Sequence, residues 1–294
     1  MTEVSVVISL FGAHRGREIL SAVVDAWLGQ DIRCEVVIGT DADGSLGSVI
    51  TNSGPDRISV VTAAVAPAAK ARLSNIAADH ARGDWLYLTD ADVVPLGRDY
   101  LRRALTSAGS ARRFLTQPRM LRLTGPSPSG SPSQWEPPAG QDAMCFVRRG
   151  ADGALVRHPG ESVFVWTDLD GQLWVDPPPD LVTSRPDEFL RRPALHWGSV
   201  LVARKTFEGV GGYSEQYSGW GCEDEDLLDK LRVRAAMLKA WQEFPELLCV
   251  HFEHPWAGDT PEYAANRLIL KQRRRAGAEA MIEEDLARRS AAGP

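Results

Sequence analysis

The sequence lacks the features of a membrane-spanning, exported or nucleic-acid-binding protein. It has no apolar run approaching about 18 residues, so we expect no membrane span. Its 33 basic and 39 acidic residues give a net charge of −6, which provides no electrostatic basis for binding a nucleic-acid backbone. The N-terminus enters a strand-like run directly, without the charged region and cleavage site of a signal peptide.

Cysteine is also scarce, and its spacing excludes a cysteine-based metal centre. The four cysteines are far apart and form no C-x-x-C pair: Cys34, Cys145, Cys222 and Cys249. Because no export signal is visible, we expect reduced thiols and a cytoplasmic protein. The apolar content of 44% is ordinary for a globular chain, and 294 residues suffice for one large α/β domain.

The first hundred residues alternate between strand-like and helix-like segments. Apolar, β-branched runs predict strands at 3–11, from 34, at 57–63 and at 85–96, and helical spacing predicts helices at 17–30 and 68–84. This alternation predicts a mostly parallel sheet with helices on its faces. Ligands of such sheets bind beyond the carboxyl ends of the strands. We therefore expect the polar strand ends to converge, at Gly12, Asp41–Gly44 and Asp90–Asp92.

The later segments are more varied. Stretches rich in proline at 123–140 and 176–180 predict loops, and two β-rich runs between them, within 161–176, predict a hairpin. A helix is predicted from Glu223, with an apolar stripe of leucines followed by Ala235. One further strand is predicted at 246–254, and a charged helical tail at 261–289.

Asp90 and Asp92 form a D-x-D pair at the end of an apolar strand. If strand alternation continues, both side chains project the same way. Carboxylate oxygens suit a hard divalent cation such as Mg²⁺ or Mn²⁺, which can bridge to phosphate oxygens. The alternative is that Asp90 caps the following turn and Asp92 is solvated.

Two histidines follow the apolar run Leu247–Val250. His251 or His254 could complete a metal site with the D-x-D aspartates. The alternative is that each is an ordinary surface or core histidine at a strand end.

The stretch Gly219–Leu228, GWGCEDEDLL, sets four carboxylates directly after two glycines that flank a tryptophan. The helix dipole favours acidic residues in a first turn, which accounts for Glu225 and Asp226. It does not account for the preceding turn. A flat ring at Trp220 beside carboxylates suits a sugar, which stacks its C–H face on the ring and hydrogen-bonds to the acids.

Taken in order, these segments resemble the nucleotide-sugar-binding half of GT-A glycosyltransferases, especially glycosyltransferase family 2. The helix AKARLSNIAADHARGD, followed by WLYLTDADV, resembles that family's A-x-R-N-x-G-x-x-x-A-x-G-[DE] pattern before the D-x-D. The later GGYSEQYSGWGCEDEDLLDKL is similar to the W-G-x-E-D stretch of galactosyltransferase-type and chondroitin-polymerase-type enzymes. The resemblance implies an α/β GT-A fold, Rossmann-like in its nucleotide-sugar-binding part.

The resemblance also implies a role for each matching residue. Asp90, Asp92 and His251, with His254 as the rival histidine, would bind Mn²⁺ or Mg²⁺. Glu223 would hold sugar hydroxyls beside Trp220 and Gly221, and Asp224 would be the general base. The donor nucleotide would contact the ends of the first strands and the following helix: Ser9, Phe11, Asp41, Asp43, Arg72, Asp90 and Ala91.

Two departures from the family pattern stand out. The first strand ends in Ser9-Leu10-Phe11-Gly12-Ala13-His14 instead of a proline and a Thr-Tyr-Asn-like turn, so the nucleobase pocket would differ. Cys222 stands where glycine is common. We expect one GT-A domain over 1–294: a nucleotide-sugar-binding half (1–100), a variable region (101–195), an acceptor-binding and catalytic half (196–260) and a helical tail (261–294).

The predicted function is a metal-dependent, inverting transfer of a sugar from a nucleotide-diphosphate sugar, by default a UDP-sugar. The acceptor would be a hydroxyl of a small molecule or soluble saccharide. Glu-Asp at 223–224 predicts inversion, because the related retaining group has Glu-Asn there and an asparagine cannot act as a base. The alternatives are a sugar nucleotidyltransferase, suggested faintly by LFGAHRGRE, and a non-catalytic sugar-nucleotide-binding protein of the same fold.

Overall fold

The computed structural model of the chain describes residues 2–10, 16–41, 55–63, 69–124, 135, 146–150, 154–157, 165–167, 173–175, 192–219, 221–254 and 260–292. Three predicted site residues, Phe11, Asp43 and Trp220, lie outside these residues. So do the proline-rich stretch 176–180 and nearly all of the stretch 123–140.

The elements of the first half follow the predicted alternation. They are β1 (Val4–Leu10), α1 (Gly16–Leu28), β2 (Cys34–Thr40), β3 (Ile58–Thr62), α2 (Lys70–His80), β4 (Trp85–Asp90), β5 (Val93–Pro95), α3 (Tyr100–Ala108), β6 (Arg113–Thr116) and β7 (Arg119–Leu123). Every residue of β1 and β2 is buried, as expected for continuous apolar strands covered on both faces.

The second half begins with short strands and ends with helices. Its elements are β8 (Phe146–Arg149), β9 (Leu155–Arg157), β10 (Val165–Thr167), β11 (Leu173–Val175), β12 (Arg192–Pro193), β13 (Val200–Ala203), α4 (Arg204–Gly209), α5 (Glu223–Arg234), β14 (Ala236–Lys239), α6 (Ala240–Glu243), β15 (Leu248–Phe252), α7 (Pro261–Ala276) and α8 (Ala278–Ala292). Strands β10 and β11 pair antiparallel, which confirms the predicted hairpin.

The central sheet has seven strands in the order β14-β6-β13-β4-β1-β2-β3. Strands β1, β2, β3 and β4 pair in parallel, and β13 pairs antiparallel with both β4 and β6. The prediction of a mostly parallel sheet is confirmed. A second sheet, β5-β15-β7-β8-β9, and a small third one, β10-β11-β12, carry the rest of the described strands.

The predicted strand 85–96 is divided at the D-x-D. Strand β4 ends at Asp90, a turn follows at Ala91 and Asp92, and β5 joins the second sheet by pairing with β15. The chain can change sheets here because the Phe252 amide of β15 donates to the Asp92 carbonyl. As a result, the two aspartates do not share one strand face.

The helix predicted from Glu223 begins at that residue and buries Leu227, Leu228 and Leu231. The predicted tail consists of two helices, α7 and α8, separated at Gly277, whose φ of 91° favours glycine. Helix α8 packs against both α5 and α7. Each helix in the described residues is too short or too polar to cross a lipid bilayer.

Candidate active site

Three of the predicted nucleotide-binding residues, Ser9, Asp41 and Asp90, lie near one edge of the central sheet. Ser9, near the end of β1, is buried and stands in register with Gly39 of β2 and Asp90 of β4. Asp41 directly follows β2. Because β1, β2 and β4 are parallel neighbours, their carboxyl ends meet there, as the sequence predicted.

A lysine at the start of α2 joins three of the predicted acidic site residues. Lys70 Nζ lies 2.8 Å from Asp90 Oδ1, 2.8 Å from Asp224 Oδ2 and 3.3 Å from Glu223 Oε1. The Tyr213 hydroxyl donates to the other Asp224 oxygen at 3.2 Å. Asp90 of the D-x-D and the Glu-Asp pair, which lies 133 and 134 positions further along the sequence, are thus connected through one ammonium group.

We call Lys70, Asp90, Glu223 and Asp224 the lysine cluster. The charges within it shift the pKa values of its members in different directions. Burial alone would lower the pKa of Lys70, but Asp224 and the other two acids raise it well above its usual range, so it stays charged. Burial alone would raise the pKa of Asp90, whereas Lys70 and His196 lower it well below its usual range. Burial and the charge of Asp224 raise the pKa of Glu223 to about 7.

The second oxygen of Asp90 contacts a histidine that the sequence did not indicate. His196 Nε2 lies 3.0 Å from Asp90 Oδ2, and His196 Nδ1 lies 2.7 Å from Ser199 Oγ. Gly198 passes close by, since a Cβ there would approach Asp90 Oδ2 to 2.9 Å and Lys70 Nζ to 3.2 Å. Asp90 is therefore held from both sides by basic groups.

Asp92 has a different set of partners. His251 Nε2 lies 3.6 Å from Asp92 Oδ2, and His254 Nε2 lies 3.2 Å from the same oxygen. One potential ligand atom from each residue lies within 4.8 Å of the others. The structure thus brings both candidate histidines to Asp92, whereas Asp90 joins the lysine cluster.

A buried ionic group lies behind this histidine pair. Glu253 Oε2 is 3.6 Å from His251 Nδ1, while Arg122 Nη1 reaches the same oxygen at 2.5 Å and Arg192 Nε reaches Oε1 at 2.6 Å. Burial alone would raise the pKa of Glu253, but Arg122, His251 and Arg192 lower it far below its usual range. The carboxylate therefore remains charged in a buried position.

The turn before α5 is pressed against α7. A Cβ on Gly221 would come within 2.7 Å of Tyr263, and Gly219 has a φ of 70°. Asn266 of α7 donates to the carbonyls of Ser218 and Gly221. This contact fixes the turn, and with it the start of α5, where Glu223 and Asp224 lie.

The acidic first turn of α5 divides into two pairs. Glu223 and Asp224 face Lys70, while Glu225 contacts Arg274 at 3.0 Å on the outside. Asp226 lies in the first turn as predicted, but it is fully buried and accepts hydrogen bonds from Tyr217 and Arg273. The helix dipole is thus only one of the interactions that stabilise the Asp226 carboxylate.

The remaining predicted residues lie at varying distances from these clusters. Ala91 is buried in the D-x-D turn. The Arg72 side chain is half exposed on α2 and lies 4.0 Å from Glu215. The sequence did not predict three residues that contact the acidic side chains of the site: Lys70, Tyr213 and His196. A signal for Lys70 did exist, because a cation at a helix N-terminus opposes the dipole and needs acidic partners nearby.

Comparison with known proteins identifies a matching family. Residues 186–254 match a family described as the N-terminal domain of galactosyltransferase. No curated protein sequence matches the chain.

Two solved structures have a similar fold. GalNAc-T7, solved with UDP, GalNAc and Mn²⁺, has a TM-score of 0.58 at 15% identity, covering 92% of this chain and 48% of its own. The mannosyltransferase PcManGT from Pyrobaculum calidifontis, solved with GDP-Man and Mn²⁺, has a TM-score of 0.52 at 18% identity, covering 99% of this chain and 76% of its own. The chain therefore spans about half the length of GalNAc-T7. The similarity to these two structures confirms the predicted GT-A fold, and part of the chain, residues 186–254, is similar to the galactosyltransferase family.

Proposed function

We propose that the chain transfers a sugar from a nucleotide-diphosphate sugar to a hydroxyl acceptor in a metal-dependent reaction that inverts the anomeric centre. One observation carries this proposal. The two aspartates of the D-x-D each belong to a different cluster, with Asp90 in the lysine cluster and Asp92 between two histidines. A donor bound over that turn would have metal ligands on one side and the Glu223-Asp224 pair on the other.

The Asp92 cluster fits a divalent cation. A carboxylate and two imidazoles converge there, with one potential ligand atom from each lying within 4.8 Å of the others. Two nitrogen ligands favour Mn²⁺ over Mg²⁺, which prefers oxygen. When bound, the metal would supply Lewis-acid neutralisation of the diphosphate leaving group. We assign Asp92, His251 and His254 as its ligands.

Asp224 is the best-placed general base. Its carboxylate is fixed by Lys70 and Tyr213, and its side chain keeps 16% of its surface accessible. Burial and the charge of Asp224 raise the pKa of Tyr213 well above its usual range, so Tyr213 remains a donor and does not compete for the proton. A single positioned carboxylate that takes the acceptor proton is consistent with direct displacement and inversion.

Glu223 has a different role in this proposal. Its pKa of about 7 lets it carry a proton near neutral pH, so it can both donate to and accept from sugar hydroxyls. Burial, which raises that pKa, also removes competing water from the sugar. The Glu-Asp pair thus combines a sugar-binding carboxyl and a general base.

A UDP-linked hexose is the proposed donor, and the hydroxyl of a small molecule or soluble saccharide is the proposed acceptor. The galactosyltransferase match and the UDP in the GalNAc-T7 structure support the first choice, and the GDP-Man of PcManGT provides its main competitor.

Incubation with a panel of nucleotide sugars and Mn²⁺, with and without a chelator, tests the proposal. We expect release of the nucleoside diphosphate from one donor, and its loss with the chelator. Pyrophosphate exchange into the nucleotide sugar would indicate a nucleotidyltransferase instead. Donor binding without release, even with candidate acceptors present, would indicate a non-catalytic protein.

A further inference from the structure

We propose that Glu253 is a positioning residue that orients the imidazole of His251 for the metal. This inference rests on the proposed metal site, and it concerns a side chain to which neither the sequence nor the family resemblance gives a role. Glu253 directly follows β15, two positions after His251, and its carboxylate lies 3.6 Å from the His251 ring.

The two nitrogens of His251 face two different carboxylates. Nε2 lies 3.6 Å from Asp92 Oδ2, and Nδ1 lies 3.6 Å from Glu253 Oε2. A neutral imidazole carries one proton, and a metal can bind only the nitrogen without it. If the metal binds Nε2 of His251 together with the Asp92 carboxylate, the imidazole proton must be on Nδ1. Glu253 is the carboxylate that faces this nitrogen. Such carboxylate–histidine–metal arrangements fix both the tautomer and the ring orientation.

The Glu253 carboxylate is itself immobilised. Arg122 holds one oxygen and Arg192 the other, and Arg122 also donates to the Pro193 carbonyl. The backbone amide of Glu253 donates to the Leu123 carbonyl at 2.9 Å. The carboxylate is therefore anchored by side chains from β7 and β12 and by a strand-like backbone contact.

A buried ionic group of this kind is poorly explained by stability alone. All three side chains are at least nine-tenths buried, and buried ion pairs are often replaceable by apolar residues without loss of stability. A function at the neighbouring histidine accounts for a carboxylate that is fixed from both sides at this place.

Direct Mn²⁺ binding, measured by calorimetry and by the electron paramagnetic resonance signal of free Mn²⁺, tests the inference without any sugar donor. We expect Glu253→Gln to weaken Mn²⁺ binding by roughly 10- to 100-fold, the range that such partners usually supply. Glu253→Asp, which keeps the charge but withdraws it from Nδ1, should weaken binding to an intermediate extent. Asp285→Asn is the matched control: it removes a buried carboxylate from a separate ionic group, formed with Lys230 and Arg273, so Mn²⁺ affinity should be unchanged.

Urea unfolding of each variant separates orientation from folding. If Glu253→Gln and Asp285→Asn lower both stability and Mn²⁺ affinity to the same extent, Glu253 is only structural and the inference is wrong. Equal affinity in Glu253→Gln and the unmodified protein also overturns it. Absence of Mn²⁺ binding by the unmodified protein would overturn the proposed metal site together with this inference.

Discussion

Replacement of Glu223 by glutamine should make the protein more stable at high pH and hardly change it at low pH. Glutamine keeps the shape of the side chain and removes its ionisation. In the folded protein, burial and the charge of Asp224 raise the pKa of Glu223 from 4.5 to about 7. Because this pKa is raised in the folded protein, the contribution of Glu223 to the free energy of unfolding is fully present below pH 4.5. It is lost as the pH rises through about 7, where the buried carboxyl must ionise.

The magnitude follows from the size of that change. A pKa raised from 4.5 to about 7 corresponds to about 3 kcal/mol in total, most of it lost between pH 5 and pH 8. Urea unfolding at these two pH values provides the free energy of unfolding for each protein. The stability gained by Glu223→Gln, relative to the unmodified protein, should be about 2 to 3 kcal/mol larger at pH 8 than at pH 5.

A nearby residue provides the control. Glu225 lies in the same helical turn, but it faces outward and contacts Arg274. Glu225→Gln should change stability by less than about 1 kcal/mol at either pH, as is usual for an exposed ion pair. If the effect of Glu223→Gln is the same at pH 5 and pH 8, Glu223 is not a buried carboxyl of raised pKa and the proposed division of roles fails.

Two further substitutions test the surroundings of the site. Lys70→Met leaves Asp90, Glu223 and Asp224 without their shared cation, and should lower the free energy of unfolding at pH 8 by about 3 to 5 kcal/mol; an unchanged urea midpoint would contradict the lysine cluster. Cys222→Gly should be tolerated far better than Cys249→Gly, because Cys222 has a φ of 78°, which costs a non-glycine residue about 1 to 2 kcal/mol, whereas Cys249 lies in β15. Equal losses in urea unfolding would show that the backbone of Cys222 is unstrained.

Periodicity and local motifs were enough to predict the frame of the fold. Five elements begin within two residues of their predicted start: β1, β2, β3, α2 and α5. Their starts are predictable because burial of one face, or of both, determines the spacing of their apolar residues. The convergence of strand ends followed from topology alone. The resemblance to GT-A glycosyltransferases added the proposed roles of the D-x-D and of the histidines near the end of β15.

The contacts within the site could not be predicted in the same way. Lys70 and Asp224 lie 154 positions apart, and no local pattern relates them. The division of β4 from β5 depends on pairing with β15, which is remote in the sequence. Alternation therefore suggested one shared face for Asp90 and Asp92, whereas the structure separates them.

Burial of charged residues was the other feature that sequence could not provide. Asp226 and Glu253 look like ordinary surface acids in a charged stretch. Arg273 pairs with the first, and Arg122 and Arg192 pair with the second, all from distant elements. Pairing of this kind depends on the complete fold, because a buried charge is tolerated only where the fold brings an oppositely charged partner next to it.

The most direct test of the account is the rate of nucleoside diphosphate release from the preferred donor by the unmodified protein and by Asp224→Asn. Water can replace the acceptor in this assay, and its attack also needs a base. With saturating donor and Mn²⁺, we predict that Asp224→Asn binds UDP with unchanged affinity and releases product at least about 100-fold more slowly. Release at the unmodified rate by Asp224→Asn would contradict the assignment of Asp224 as the base, and with it the proposed mechanism.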